Sequence, residues 1–164
     1  MRRWLAIAGA TLAIAMVAAG CGGKTSSSSS SAPTSSSATA TGGATVAVKS
    51  SKLGAILVDG TGRTLYLFEK DQGTSSSCYG ACAGGWPPDT TNGAPRAGAG
   101  VSASLLGTTT RTDGKTEVTY HGHPLYYFAG DRKPGDTNGE GLKAFGAEWY
   151  VLSAAGNKVE QEGS

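Results

Sequence analysis

Apolar and polar positions divide the chain into three stretches. Residues 4–19 are apolar apart from Gly9 and Thr11, residues 25–43 hold nothing larger than proline or threonine, and short apolar runs separated by glycines begin at Thr45. In the third stretch, "TVAVK" (45–49) and "KTEVTY" (115–120) alternate apolar with polar residues, which predicts strands with one covered face. "AILV" (55–58) and "LYLF" (65–68) are short unbroken apolar runs, which predict strands covered on both faces. "DGTG" (59–62), "DG" (113–114) and "HG" (121–122) stand between these runs, with the glycines that tight hairpins need for positive φ. No long apolar stretch has helical spacing. "SASLLG" (102–107) predicts one helical turn capped by Ser102 and stopped by Gly107, and residues 89–100 read as loop.

One pattern is written twice. "GRTLYLFEKD" (62–71) and "GHPLYYFAGD" (122–131) match in register, sixty positions apart. On a strand, Tyr66 and Phe68 face one side and Leu65 and Leu67 the other, and Tyr126 and Phe128 oppose Leu125 and Tyr127 in the same way. Strands apolar on both faces are central, so the twins are expected to form two halves of one core. Asp71 and Asp131 each fall five positions after their tyrosine. Their expected role is structural: a carboxylate past a strand end accepts backbone N–H groups of the following turn, or a tyrosine hydroxyl. The fold expected is all-β, a single compact antiparallel domain of two pseudo-symmetric repeats after a disordered N-terminal stalk. The domain spans residues 45–160, with repeat one at about 50–100, repeat two at about 107–156 and a tail at 161–164.

The first two stretches bear on location. Arg2 and Arg3 precede the apolar run, which matches a secretory signal and is short for a membrane span. It ends in "VAAGC" (17–21), where small residues before Cys21 resemble a bacterial lipobox. That resemblance implies cleavage before Cys21, with residues 1–20 removed, and a diacylglyceryl group on the Cys21 thiol. The expected location is therefore exported, lipid-anchored to the outer face of the bacterial cell membrane. Residues 21–44 then form a lipidated linker whose segment 25–43 has nine serines and four threonines. It is too polar to offset the entropy of ordering, and its r.m.s. reach is roughly 25–30 Å by random-coil scaling. The chain has 14 basic residues, 12 without Arg2 and Arg3, against 12 acidic, so the mature chain is formally neutral. No basic tract suits nucleic acid. The 26 glycines in 164 residues favour turns and short strands over helices.

The two G-x-x-L-Y-x-F-x-x-D copies, "CYGACAGGWPP" between them and "WYVLSAAG" near the end resemble the secreted-repeat lipoproteins of bacteria. The resemblance covers roughly residues 50–156. It implies an envelope location and the duplication, and it supplies no catalytic residue, because that family has none assigned.

Candidate chemistry is sparse. Cys78 and Cys82 are the only cysteines after Cys21. In an exported chain they are expected to form a structural disulfide of about 2 kcal/mol by loop entropy; a redox pair and thiolate metal ligands are the alternatives. Trp86 precedes Pro87, and Trp149 holds the corresponding place in copy two; both are expected as buried plugs. His121 and His123 form H-x-H, a spacing that binds copper or zinc from one strand face, but His121 falls in the expected turn. Asp136, Asn138 and Glu140 alternate in "DTNGEG" (136–141), an oxygen-ligand spacing that suits calcium but equally a solvated turn. Neither set is assigned a metal. There is no G-x-S-x-G, P-loop or H-E-x-x-H, so no enzyme and no cofactor beyond the lipid are expected. The expected function is a non-catalytic binding or structural envelope module, its partners the membrane through the anchor and an envelope protein or cell-wall component. The alternative is a metal- or redox-linked accessory protein.

Overall fold

A computed structural model describes residues 42–160. The expected signal peptide, Cys21, most of the linker and the tail at 161–164 lie outside the described residues. Among those described, nine strands form β1 (Thr45–Ser51), β2 (Gly54–Asp59), β3 (Tyr66–Phe68), β4 (Arg96–Ala97), β5 (Leu106–Thr110), β6 (Thr116–Tyr120), β7 (His123–Pro124), β8 (Leu142–Ala144) and β9 (Ala147–Val151). One short helix, α1 (Ala81–Gly85), and a 3-10 turn at Ala103–Leu105 complete the list. The strands make three sheets in the orders β2-β1-β4, β3-β9-β8 and β5-β6-β7, so the domain is all-β.

The hairpins fold where the turn residues predict. β1 and β2 pair from Val46↔Asp59 to Ser51↔Gly54, and β5 and β6 from Leu106↔Tyr120 to Thr110↔Thr116. His121 at φ 50 and Gly122 at φ 84 turn β6 into β7, the mirror-image turn a two-residue hairpin loop requires. Three details differ from expectation. Residues 96–97, read as loop, run parallel to β1 because the Arg96 and Gly98 amides donate to the Ala44 and Val46 carbonyls. Ser102 precedes the helical turn but its side chain makes no capping bond, and its hydroxyl pairs with Ser104 instead. Gly107 does not stop that turn, which ends at Leu105, and lies within β5.

The two copies are interlocked rather than stacked. Tyr66 and Tyr126 exchange backbone bonds of 2.8 and 3.0 Å, joining the motif strands at the centre. β3 of copy one then pairs with β9 of copy two, Phe68 opposite Trp149. In return, the "WPPDT" segment of copy one adds to copy two: Tyr127 donates to Pro87, Asp89 to Leu125, and Val118 to Asp89. Leu57 donates to Leu152 in the opposite exchange. Each copy thus supplies the outer segment of the other.

Side-chain alternation along the motif strands splits the interior in two. Tyr66, Phe68, Tyr126 and the half-buried Phe128 join Trp86, Trp149 and the cysteines on one side. Leu65, Leu67 and Leu125 join Val46, Leu57, Val118, Tyr120 and Leu152 on the other. The motif segments are therefore covered on both faces, but they differ from the expected central strands: β3 is an outer strand of its sheet, and residues 125–128 join through bridges at Tyr126 alone.

Candidate functional site

The repeated motif builds one continuous aromatic column. Phe68 stacks on Trp149 at 4.0 Å between centroids, Trp149 on Trp86 at 3.9 Å, and Trp86 on Phe128 at 4.4 Å. Tyr126 meets Trp149 edge-on at 5.2 Å, and Tyr66 meets Trp86 edge-on at 5.3 Å. Each phenylalanine thus lies against the tryptophan of the opposite copy. Edge and face contacts satisfy the ring quadrupoles and add about 0.5–1.5 kcal/mol per pair beyond burial.

The aspartates close the same exchange. The Tyr66 hydroxyl donates to Asp131 Oδ2 at 2.8 Å, and the Tyr126 hydroxyl to Asp71 Oδ2 at 2.7 Å. Asp71 Oδ1 accepts the Ser77 amide and hydroxyl, both at 2.7 Å, and Asp131 Oδ1 accepts the Asn138 amide at 2.9 Å. Each aspartate therefore accepts an amide from the turn of its own copy and the tyrosine hydroxyl of the other. Burial pushes both carboxyls above their ordinary range against these bonds, and burial together with the carboxylate partners pushes both phenols well up.

A second polar cluster was not legible in the sequence. Arg111, whose side chain is fully buried, crosses from copy two to the disulfide loop of copy one. Its Nη1 donates to Glu117 Oε2 at 2.9 Å and Ser76 Oγ at 2.7 Å, and its Nη2 to the Cys78 carbonyl at 2.6 Å. Tyr79 covers the guanidinium at 4.4 Å. Burial pushes the Glu117 carboxyl up to about 7, opposed by Arg111. Asp89, 2 % exposed, accepts the Tyr127 hydroxyl at 2.9 Å, and burial carries it up to about 6. The signal available was Glu117 in the polar register of an alternating strand, but nothing local indicates that a loop covers that face.

The remaining candidates fall as follows. Cys78 and Cys82 are bonded, with Cα atoms 5.2 Å apart, and Cys82 lies in the first turn of α1. Trp86 and Trp149 are both buried. Asp136 Oδ2 accepts the amides of Arg132 and Lys133, Asn138 turns to Asp131, and Glu140 Oε2 accepts the Val151 amide at 2.7 Å. Asp136 and Glu140 therefore accept separate backbone amides, while Asn138 donates its side-chain amide to a carboxylate. Gly139 between them is dictated by packing, since an added Cβ would come within 2.7 Å of the Trp86 ring. His121 is exposed in its turn, while His123 is half-buried and burial lowers its pKa. His123 and Asp71 line an open cleft of about 510 Å³ with Leu67, Phe68, Glu69, Asn157 and Lys158. Among the described residues, no group of three or more His, Cys, Asp or Glu is placed to hold a metal ion.

Fold and site together define a duplicated, disulfide-braced β module whose repeated side chains complete one another. The chain belongs to the family described as a secreted repeat of unknown function, whose model matches residues 47–89 and 107–153, one match for each copy. Its description as secreted supports export. No curated protein and no solved structure matches the chain.

Proposed function

We propose that the chain is a lipoprotein of the cell envelope, acylated on Cys21 and held by its Ser/Thr-rich linker, whose β module binds or braces an envelope component without catalysing a reaction. One observation carries the non-catalytic reading: the motif's tyrosines and aspartates are engaged with each other across the two copies. Both tyrosines are also fully buried, so neither hydroxyl can reach a substrate. Small residues before Cys21 and the secreted description of the family support the anchor. Two acyl chains hold a protein stably where one binds marginally.

The test is acylation in cells. Labelled palmitate should enter the parent and not Cys21→Ala; failure of the parent to take up label would refute the anchor. Photo-crosslinking from the module surface should then capture an envelope partner. Robust turnover in a screen of hydrolytic and redox substrates would refute the non-catalytic reading. The half-buried His123 beside Asp71 in its cleft supports the metal- or redox-linked alternative. Calorimetric heat with copper, zinc or calcium would favour that alternative.

A further inference from the structure

The β8–β9 hairpin ends in an unusual turn. Ala144 pairs with Ala147, so Phe145 and Gly146 are the two central residues, at φ 55 and φ 100. Left-handed backbone suits glycine, asparagine or aspartate there, and a bulky aromatic is a genuine outlier. The ring of Phe145 lies beside Gly85 of α1 but is not buried there. It is 46 % exposed, belongs to neither buried cluster, and with Leu142 at 40 % is one of two exposed large hydrophobics among the described residues. Strain on an exposed ring is a hypothesis of function.

Cations surround the tip. Lys70 Nζ donates to the Phe145 carbonyl at 3.3 Å. Lys143, 74 % exposed, leads into the turn, and its partner Glu148 lies 3.4 Å away. Lys143 is thus paired, and Lys70, next to the Glu69 that Lys158 holds, is the cation beside the apolar tip without an acidic partner among the described residues.

We propose that Phe145 and Leu142 form a finger that inserts into the interface of an anionic lipid bilayer, with Lys70 and Lys143 at the phosphate level. Its shape favours lipid over protein. A specific protein interface covers about 800 Å² per partner, far more than two side chains at a hairpin tip present. Edge pairing is disfavoured because β8 is three residues long with Lys143 at its centre. An apolar wedge with amphipathic lysines beside it matches interfacial insertion, where the alkyl stems sink and the ammonium groups stay at the headgroups. The finger does not rest on acylation of Cys21. An acyl anchor would only raise the effective concentration, so that a weak contact fixes the module's orientation.

The test is vesicle flotation of non-acylated chain lacking residues 1–21, since both cores lie wholly within the described residues. The protein should float with phosphatidylglycerol/phosphatidylethanolamine vesicles and be released by salt. Phe145→Asn should lower partitioning about tenfold, the factor set by 1.4 kcal/mol. Lys70→Gln and Lys143→Gln should each lower it about fivefold, and Phe145→Trp should retain it. Because asparagine accepts the left-handed turn, Phe145→Asn should also raise Tm, by about 4 °C. The proposal is overturned if the parent does not float, if Phe145→Asn floats like the parent, or if that variant lowers Tm and so marks the ring as structural. It is equally overturned if Phe145→Asn abolishes self-association or protein capture in the absence of vesicles. Failure of palmitate labelling would leave these outcomes unchanged.

Discussion

Asp89 gives the sharpest quantitative test of the interior. Its Oδ1 accepts the Tyr127 hydroxyl, while its buried Oδ2 has no partner among the described residues. Burial raises the carboxyl from 3.8 to about 6, the Tyr127 bond opposes the rise, Asp59 adds to it and Arg63 opposes it. In the folded protein the proton is therefore held at a pH where the unfolded chain has released it. This group's stabilising contribution is fully present below about pH 4 and is lost as the pH rises through about 6. A shift from 3.8 to about 6 corresponds to about 3 kcal/mol. Asp89→Asn removes the titration but keeps an oxygen to accept from Tyr127, leaving its amide N–H groups as a constant penalty of about 1–3 kcal/mol. Urea unfolding of parent and variant, across pH 3.5 to 8 in matched buffers, gives a difference curve. Asp71, Glu117 and Asp131, also raised by burial, titrate in both proteins and cancel. The parent should lose about 3 kcal/mol relative to Asp89→Asn between pH 4 and pH 7.5. A flat difference curve would refute the burial argument, and one of opposite slope would mean that Arg63 holds Asp89 ionised.

Three further outcomes follow from the contacts. Tyr126→Phe and Tyr66→Phe should each cost about 1.5–3 kcal/mol, the range for a bond to a charged group. A double-mutant cycle by chemical denaturation should give at least about 1 kcal/mol of coupling for Tyr126 with Asp71 and nearly none for Tyr126 with Asp131. Arg111→Met should cost about 3–5 kcal/mol by leaving Glu117 buried without its partner, and adding Glu117→Leu should recover most of it. Reduction of the Cys78–Cys82 bond, or Cys78→Ser with Cys82→Ser, should lower stability by about 2 kcal/mol, read as the shift of the thermal transition with and without reductant.

What the sequence revealed was local. Periodicity located the strands at 45–49, 55–58, 65–68 and 115–120 because each satisfies its own pattern of burial, and the HG turn was legible because two residues fix its geometry. The cover on both faces of the motif strands followed from leucines on one face and aromatics on the other. The exchange between copies was not legible. Tyr66 and Asp71 lie five positions apart, yet the acceptor for Tyr66 is Asp131, 65 positions away, and no local pattern records so distant a partner. Arg111 reads as a hairpin residue beside Asp113, because the disulfide loop that buries it comes from the other copy. "DTNGEG" reads as an oxygen cluster when its central glycine is in fact set by the Trp86 ring.

The cross-copy exchange of outer segments has a consequence for polypeptides that carry only one repeat. Such a chain would have an unpaired motif strand, a tyrosine without its acceptor and a tryptophan lacking its stacking partner. Closing those gaps requires a second identical chain related by a two-fold axis. Joining the units through residues 90–106 makes assembly independent of concentration and lets one half differ from the other. Arg63 and His123 hold equivalent places in the repeated motif, as do Asp89 and Leu152, each three residues after its tryptophan; an obligate homodimer of single repeats could not hold such differences in one half alone.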